Sequence, residues 1–180
     1  MESKKEKIAG LITIQPKVFG DERGFFLESY NLNRYSEIIG NVTFVQDNVS
    51  KSSKGVLRGL HFQKPPFDQG KLVSVMQGSV LDVAVDIRKN SPTYGQHVSV
   101  ILDGKLKNQF WIPTGFAHGF CALEDDTVFT YKCTNVYSPE SESCLLWNDT
   151  DLAINWDISE PIVSEKDKNG VPFCNFVSPF

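Results

Sequence analysis

Residues 71–88, KLVSVMQGSVLDVAVDIR, carry the strongest fold signal in the sequence. The apolar residues from Leu81 to Ile87 alternate with more polar ones, and a period of two is typical of a half-buried β-strand. Gly78 interrupts the run with a backbone that suits a tight turn. The segment therefore predicts a β-hairpin.

Short β-rich runs continue on both sides of this hairpin. Helical patterning is limited to residues 31–39, with Asn31 as the N-cap, and to a short turn near residues 150–152. Many short strands with few helices predict one all-β domain over residues 1–180, built as a sandwich or a closed barrel. The predicted strands are 11–18, 25–30, 42–49, 119–123 and 127–133, and a second hairpin joins 97–102 to 108–112 through Asp103, Gly104 and Lys105.

The composition excludes several classes of function. The 180 residues are 41% hydrophobic and 22% charged, which is ordinary for a globular domain. A formal charge of -4 leaves no basic stripe for general nucleic-acid binding. No apolar run is long enough to span a bilayer, and the first ten residues lack the apolar core of a secretory signal. We therefore expect no nucleic-acid partner and no membrane partner.

Four cysteines lie at positions 121, 133, 144 and 174 without a CxxC pair. Cys121 and Cys133 fall in predicted strands, where small buried thiols in a reducing compartment explain them better than disulfides or metal ligands. We therefore expect a cytoplasmic protein.

The three histidines are the first candidates for acid–base chemistry. His97 occupies a polar strand position and is most simply a surface residue. His61 lies in GVLRGLHFQ beside Arg58, and His118 lies in IPTGFAHGF, so both have glycine neighbours. A lone strand histidine is more often a hydrogen-bonded core residue than a catalyst, and the glycine-bounded setting leaves the two interpretations evenly matched.

A metal site is the main alternative for His61. Many small β-barrels bind iron, manganese or zinc through an H-x-H pair, a following glutamate and a later histidine. Residues i and i+2 of a strand share a face, so Gln63 stands where the second imidazole would be. Lys71 rather than a carboxylate follows, and its ammonium would repel a cation. Because only two histidines remain, we predict no metal.

Basic and aromatic residues accompany these histidines. Arg23, Arg58 and Lys71 lie in apolar or glycine-bounded segments. Most such residues are solvated surface charges, but guanidinium groups also bind phosphate in a bidentate manner, and this set suits a diphosphate ligand. Tyr131 is by itself most simply a core aromatic, and Asp167 in SEKD is most simply part of a polar turn.

Six motifs follow one another along the chain, namely VFGDERGFFLESY, QDNVSKSSKGVLRGLHFQKPP, KLVSVMQGSVLDVAVDIRKNSPTYG, IPTGFAHGF, YKCTNVYSPESE and VSEKD. Together they resemble those of the dTDP-4-dehydrorhamnose 3,5-epimerase family. The resemblance extends from about Ile8 to Pro172 and is specific in its combination of RGLHFQ with PTGFAHGF. It implies a cupin-type jelly-roll barrel with a few short peripheral helices, no metal or organic cofactor, and a homodimer that exchanges an N-terminal strand. The apolar tail departs from the more polar ending expected, and we expect it to pack on the body or on a partner.

The resemblance assigns roles residue by residue. His61 matches the proton-abstracting base, and Asp167 matches the carboxylate paired with it. Lys71 matches the lysine near the keto oxygen, and Tyr131 matches the proton donor. Some contacts are expected to come from the partner subunit. Substrate contacts are implied for Phe26 and Tyr137, which match the aromatics around the thymine, and for Arg23, Glu28, Gln46, Asp47, Asn48, Arg58, Lys71, His118, Glu142 and Lys166.

The implied reaction fits the chemistry of these side chains. The substrate is a dTDP-4-keto-6-deoxyhexose, whose ketone acidifies the protons at C3 and C5. A neutral imidazole accepts such a proton near pH 7, a lysine stabilises the enolate oxygen, and a tyrosine reprotonates the opposite face. The expected product is dTDP-4-dehydro-L-rhamnose, formed from dTDP-4-dehydro-6-deoxy-D-glucose. The alternatives are an epimerase acting at one carbon or on a related nucleotide sugar, a metal-dependent cupin enzyme, and a non-catalytic sugar-nucleotide binder.

Overall fold

Fourteen strands and two short helices make up the protein, whose computed structural model describes residues 1–180. The all-β prediction is therefore confirmed. The helices are α1 Leu32–Ile39 and α2 Glu165–Lys168, and a 3₁₀ turn spans Phe173–Asn175. The strands are β1 Glu2–Lys5, β2 Ile12–Gln15, β3 Val18–Asp21, β4 Gly24–Leu27, β5 Gln46–Ser52, β6 Val56–Gln63, β7 Lys71–Gln77, β8 Ser79–Asp86, β9 His97–Asp103, β10 Gln109–Ile112, β11 Phe116–Ala122, β12 Thr127–Cys133, β13 Glu142–Cys144 and β14 Ile162–Val163.

Two six-stranded sheets pack on either side of the main core. The first has the order β1-β2-β10-β7-β12-β5, and the second has the order β13-β6-β11-β8-β9 with β14 beside β6. Phe110 and Phe129 of the first sheet meet Val80 and Phe120 of the second in one buried cluster. This is the cupin-type jelly-roll barrel that the resemblance implied. Strands β3 and β4 form a separate two-stranded hairpin.

The hairpin predicted over residues 71–88 is wrong. β7 and β8 are consecutive strands, but they belong to different sheets. Gly78, with φ of 76°, turns the chain from the first sheet to the second. The second predicted hairpin is wrong in the same way, because β9 lies in the second sheet and β10 in the first. A connection that carries the chain from one sheet to the other helps to close a barrel, whereas a hairpin would keep both of its strands in one sheet.

β8 is buried along its whole length rather than half-buried as predicted. Leu81 and Val83 pack with Leu145 and Trp156 in a second buried cluster on the side of this sheet away from the main core, called the outer cluster below. Asp82 alternates with them and therefore points to the opposite side, into the barrel. The polar half of the sequence pattern thus faces the interior of the protein instead of water.

Helix α1 begins after Asn31, whose side chain accepts a hydrogen bond from the backbone N–H of Arg34 at 3.2 Å, as predicted. The helix packs on the outer face of the first sheet through Tyr35. The predicted feature near residues 150–152 is a turn. Neither helix has the length and apolar character needed to cross a membrane.

The C-terminal tail packs on the body of the same chain, as one of the two expectations had it. The rings of Phe176 and Phe180 lie 5.5 and 6.2 Å from that of Phe62. Phe62 follows His61 in β6 and lies in the outer cluster. The tail therefore covers the outer face of the strand that carries the candidate base.

Candidate active site

A cavity of about 540 Å³ is lined by side chains of both sheets. His61 of β6 and His118 of β11 lie in it and are direct cross-strand partners. Lys71 of β7 and Tyr131 of β12 line it from the first sheet. Candidates that are dispersed in the sequence are thus gathered in one place. The polar lining is completed by Ser50, Arg58, Ser164, Lys166 and Asp167.

Two glycines allow β6 and β11 to approach closely beside the histidines. Gly59 has φ of 130°, and a Cβ added there would lie 2.5 Å from Cα of Gly119. A Cβ on Gly119 would lie 2.8 Å from the carbonyl oxygen of Arg58. The strand register also shifts between His118 and Phe120. A side chain at either glycine would push the two strands apart and displace the histidines.

The side chains of His61 and Asp167 form a short hydrogen bond. Nε2 of His61 lies 2.5 Å from Oδ1 of Asp167, which is 3% exposed in α2. Burial alone would raise the pKa of Asp167, but hydrogen bonds from His61 and Ser164 outweigh it and lower that pKa. The carboxylate therefore stays ionised and commits Nε2, which leaves Nδ1 of His61 to accept a proton. The polar segment around Asp167 is the one-turn helix α2 rather than a simple turn, and it buries this carboxylate.

His118 has an acidic partner that the sequence reasoning missed. Its Nε2 donates to both carboxylate oxygens of Asp82, at 3.0 and 2.9 Å, and Asp82 is fully buried. The ring also stacks on Phe129, with centroids 6.2 Å apart. The available signal was an aspartate inside the apolar run LDVAVD, because a buried carboxylate requires a partner.

Lys71 and Tyr131 have pKa values shifted in opposite directions. Burial lowers the pKa of Lys71, although Cys133, Asp82 and Glu142 act against this effect. Burial raises the pKa of Tyr131, which keeps its hydroxyl protonated at neutral pH. The Lys71 ammonium lies 5.9 Å from the centroid of the Tyr131 ring. The pair thus combines a cation with a proton donor on the wall opposite the histidines.

A polar cluster lies at the rim of the cavity, where Lys166 is the member that lines it and Tyr137 and Glu142 adjoin it. Lys166 lies 2.5 Å from Oε2 of Glu142, and the hydroxyl of Tyr137 donates to the same oxygen at 2.6 Å. Burial would raise the pKa of Glu142, but the bonds from Lys166 and Tyr137 outweigh it and lower that pKa. Tyr137 and Glu142, both predicted by resemblance, are therefore tied to a residue that lines the cavity.

The β3–β4 hairpin keeps three other predicted contacts away from the cavity of its own chain. Arg23 pairs with Asp21 at 2.5 Å, and Phe26 is 69% exposed. Glu28, just after the hairpin, pairs with Arg34 at 3.1 Å. None of Arg23, Phe26 and Glu28 lines the cavity.

Strand β5 supplies a further group at the edge of the first sheet. Gln46 accepts a hydrogen bond from the backbone N–H of Tyr137 at 2.8 Å and donates to Asn48 at 3.1 Å. Asp47 points to the other face, where it pairs with Lys132 at 3.0 Å. Ser50 shares the face of Gln46 and Asn48, lines the cavity, and has a buried hydroxyl without a hydrogen-bond partner. The sequence contained no signal for Ser50.

Three side chains at the site could offer ligand atoms to a metal ion, but one of them is a poor ligand. His61, Cys144 and Asp167 offer ligand atoms within 4.8 Å of one another. Burial raises the pKa of Cys144 to about 12, so its thiol is protonated and a poor ligand at neutral pH. The Gln63 amide is committed to loop backbone groups. The donor chemistry therefore suits an acid–base site better than a metal centre.

Comparison with known proteins assigns the family. Residues 5–175 match the family model of dTDP-4-dehydrorhamnose 3,5-epimerase. The epimerase of this name from Shigella flexneri is 54% identical over 95% of both chains. A 3,5-epimerase from Legionella pneumophila, solved with dTDP-4-keto-L-rhamnose, superposes with a TM-score of 0.92 at 53% identity, covering 95% of this chain and 92% of the other. A dTDP-4-dehydrorhamnose 3-epimerase from Streptomyces niveus is 37% identical over 91% of this chain and 80% of its own. The chain belongs to the dTDP-4-dehydrorhamnose 3,5-epimerase family.

Proposed function

We propose that the chain converts dTDP-4-dehydro-6-deoxy-D-glucose to dTDP-4-dehydro-L-rhamnose by inverting C3 and C5, a step of dTDP-L-rhamnose biosynthesis. The observation that carries this function is the shared cavity of the His61–Asp167 pair, Lys71 and Tyr131. The bound sugar nucleotide of the Legionella enzyme supports the substrate. The protein is thus an isomerase of the epimerase class.

Proton abstraction is the first step of the proposed mechanism. Nδ1 of His61 takes the proton from the carbon beside the C4 ketone. The electron pair of the C–H bond forms the C=C bond of the enolate as the carbonyl π pair moves onto the ketone oxygen. The ionised Asp167 stabilises the imidazolium that forms. Lys71 stabilises the enolate oxygen, where negative charge develops.

Inversion requires reprotonation from the other face of the sugar ring. Tyr131 lines the cavity from the sheet opposite His61, and burial raises its pKa so that it holds its proton. Tyr131 donates that proton to carbon, which converts the enolate back to the ketone and leaves a tyrosinate. The tyrosinate then regains a proton and the His61 imidazolium releases its own, both by exchange with solvent, and a second round inverts the other carbon.

The remaining polar groups suit a nucleotide diphosphate. Arg58 and Lys166 line the cavity and can neutralise phosphate oxygens, and the buried Asp82 holds His118 in place beside them. Ser50 offers a buried hydroxyl without a partner. Tyr137 at the rim supplies an aromatic surface for a base. These contacts, with those of Gln46, Asp47, Asn48 and Glu142, belong to the same proposal.

We further propose a homodimer with strand exchange, in which Arg23, Phe26 and Glu28 complete the site of the partner subunit. In support, β3 and β4 pair only with each other and expose Phe25 and Phe26, which is unusual for aromatic residues of a monomer. Mixing inactive Arg23→Ala and His61→Ala proteins tests this. Subunit exchange should restore activity at one site per mixed dimer, and no recovery would contradict a shared site.

Residues 1–180 are proposed to act as one sugar-nucleotide epimerase domain without a cofactor. The main core cluster contains residues of both sheets, and two further clusters contain other residues of the same sheets. This arrangement supports a single folding unit. A cytoplasmic location is proposed as well. The buried free thiols of Cys121, Cys133 and Cys144 suit a reducing compartment.

Product identification tests the proposed reaction. The protein is incubated with dTDP-4-dehydro-6-deoxy-D-glucose and a ketoreductase that reduces the epimerised ketone, and the product is identified by NMR. dTDP-L-rhamnose is expected with the wild-type protein, and no L-sugar is expected with His61→Ala. A C3-only epimer would favour the single-carbon alternative, to which the 37% identical Streptomyces relative corresponds. Loss of activity on chelation, with recovery on adding one metal, would favour the metal-dependent alternative.

A further inference from the structure

Gln63 lies two residues after His61 on β6, but its side chain holds a loop. It is 5% exposed, and all of its amide groups are engaged. Oε1 accepts from the backbone N–H of Ser138 at 2.8 Å. Nε2 donates to the carbonyl oxygens of Val136 at 3.1 Å and Phe67 at 2.5 Å. A buried amide with every partner in place specifies one loop conformation.

The loop of residues 134–138 is held from both sheets. The backbone N–H of Tyr137 donates to Oε1 of Gln46 on β5, and the next N–H, of Ser138, donates to Oε1 of Gln63 on β6. Two consecutive backbone donors are therefore captured by two glutamines. The Tyr137 side chain itself is 53% exposed, so its position depends on this anchored backbone rather than on burial.

The anchored loop places Tyr137 at the rim of the cavity. Its hydroxyl donates to Glu142, which pairs with Lys166 on the cavity wall. Glu142 is also the cross-strand partner of Gln63 in the β13–β6 ladder. Gln63 thus contacts the loop through its side chain and pairs with Glu142 of the rim cluster through its backbone.

We propose that Gln63 is a positioning residue for nucleotide recognition: it fixes the loop 134–138 so that Tyr137 is presented to the nucleobase of the substrate. The proposal rests on the proposed function. Gln63 does not line the cavity, so its loss is expected to change binding of the nucleotide and not proton transfer.

Gln63→Met tests this by removing the amide while keeping the length of the side chain. KM for the dTDP-ketosugar and Kd for dTDP, measured by calorimetry, should both rise roughly tenfold, which corresponds to one buried hydrogen-bond arrangement lost. kcat and its pH profile should stay unchanged. Asn108→Leu is the matched control, since Asn108 is 9% exposed and its amide holds another loop through Asp103 and Ile101, away from the cavity. The control should lose stability without a change in KM.

Gln63→Glu adds a second test, the pH dependence of KM, which a purely structural role of Gln63 would not change. Its carboxylate still accepts from Ser138, but its second oxygen faces the carbonyls of Val136 and Phe67. KM should be raised at pH 8 and should fall as the pH drops and the carboxyl regains a proton to donate. The proposal is overturned if Gln63→Met leaves KM and the dTDP Kd unchanged, if it lowers only kcat, or if Asn108→Leu raises KM equally. A wild-type protein that binds dTDP but turns over no ketosugar would contradict the proposed function instead, because the dTDP Kd still reports on the loop.

Discussion

Nε2 of His61 lies 2.5 Å from Oδ1 of Asp167, although 106 residues separate the two in the chain. β6 carries the histidine and the short helix α2 carries the aspartate. The pair places an ionised carboxylate behind the imidazole and leaves Nδ1 free for the substrate. The roles of the other cavity residues are defined relative to this arrangement.

Asp167→Asn should lower kcat by roughly 10²–10⁴-fold, because the amide neither selects the right tautomer nor stabilises the imidazolium. Asp82→Asn should mainly raise KM, since Asp82 orients His118 rather than the base. Steady-state kinetics of the two variants check this division. Equal losses of kcat in both would contradict it.

The alkaline limb of kcat/KM should report Lys71. Burial lowers the pKa of Lys71 below its ordinary 10.5 and raises that of Tyr131 above its ordinary 10.0, so loss of the lysine proton moves to lower pH and loss of the tyrosine proton to higher pH. Activity should therefore decline below pH 10.5 as the ammonium is lost. The residual activity of Tyr131→Phe should retain the same limb, and a limb that disappears with the hydroxyl would assign it to the tyrosine.

Lys71→Met should separate activity from stability. Loss of the cation that we propose to face the enolate should lower kcat/KM by roughly 10²–10³-fold. The free energy of unfolding at pH 7 should stay the same or rise, because burial disfavours the charged lysine and methionine carries no charge. Denaturant titration measures this, and a marked loss of stability would mean that Lys71 is chiefly structural.

Tyr131→Phe should uncouple proton removal from inversion. The His61–Asp167 pair remains, so exchange of substrate protons with solvent should continue from one face. Formation of inverted product should fall by roughly 10²-fold or more, because the donor on the opposite wall is lost. NMR of exchange and of product in one reaction gives the ratio. A proportional loss of both would argue against Tyr131 as the donor.

Phe176→Ala should destabilise the protein by about 1–2 kcal/mol, because the ring packs edge-on against Phe62 in the outer cluster. Val177→Ala is the matched control, since Val177 is 84% exposed and should change stability by less than about 0.5 kcal/mol. Thermal unfolding of both variants checks the assignment. Equal effects would mean that the tail does not dock as described.

The sequence predicted strands well but not their partners. The period-two pattern located β8, the predicted strand 127–133 coincides with β12, and Asn31 marked the start of α1. Both predicted hairpins were wrong because a turn such as that at Gly78 does not determine whether the flanking strands share a sheet. That choice depends on pairing with strands far away in the chain, which a local pattern does not contain.

The site was predictable where its residues carry recognisable motifs. His61, His118, Lys71, Tyr131 and Asp167 were all named from the sequence, and the fold brings them to one cavity. Asp82 and Ser50 were missed, since their importance arises only when the barrel closes around them. Contacts that depend on a second subunit stay predictions.

Solvent deuterium incorporation tests the central claim most directly. The protein is incubated with dTDP-4-dehydro-6-deoxy-D-glucose in D₂O, the product is trapped by reduction, and the label is located by NMR and mass spectrometry. Our account predicts deuterium at both C3 and C5 of an L-configured product, and none with His61→Ala. Label at only one carbon, or undiminished label with His61→Ala, would contradict His61 as the base of a 3,5-epimerase.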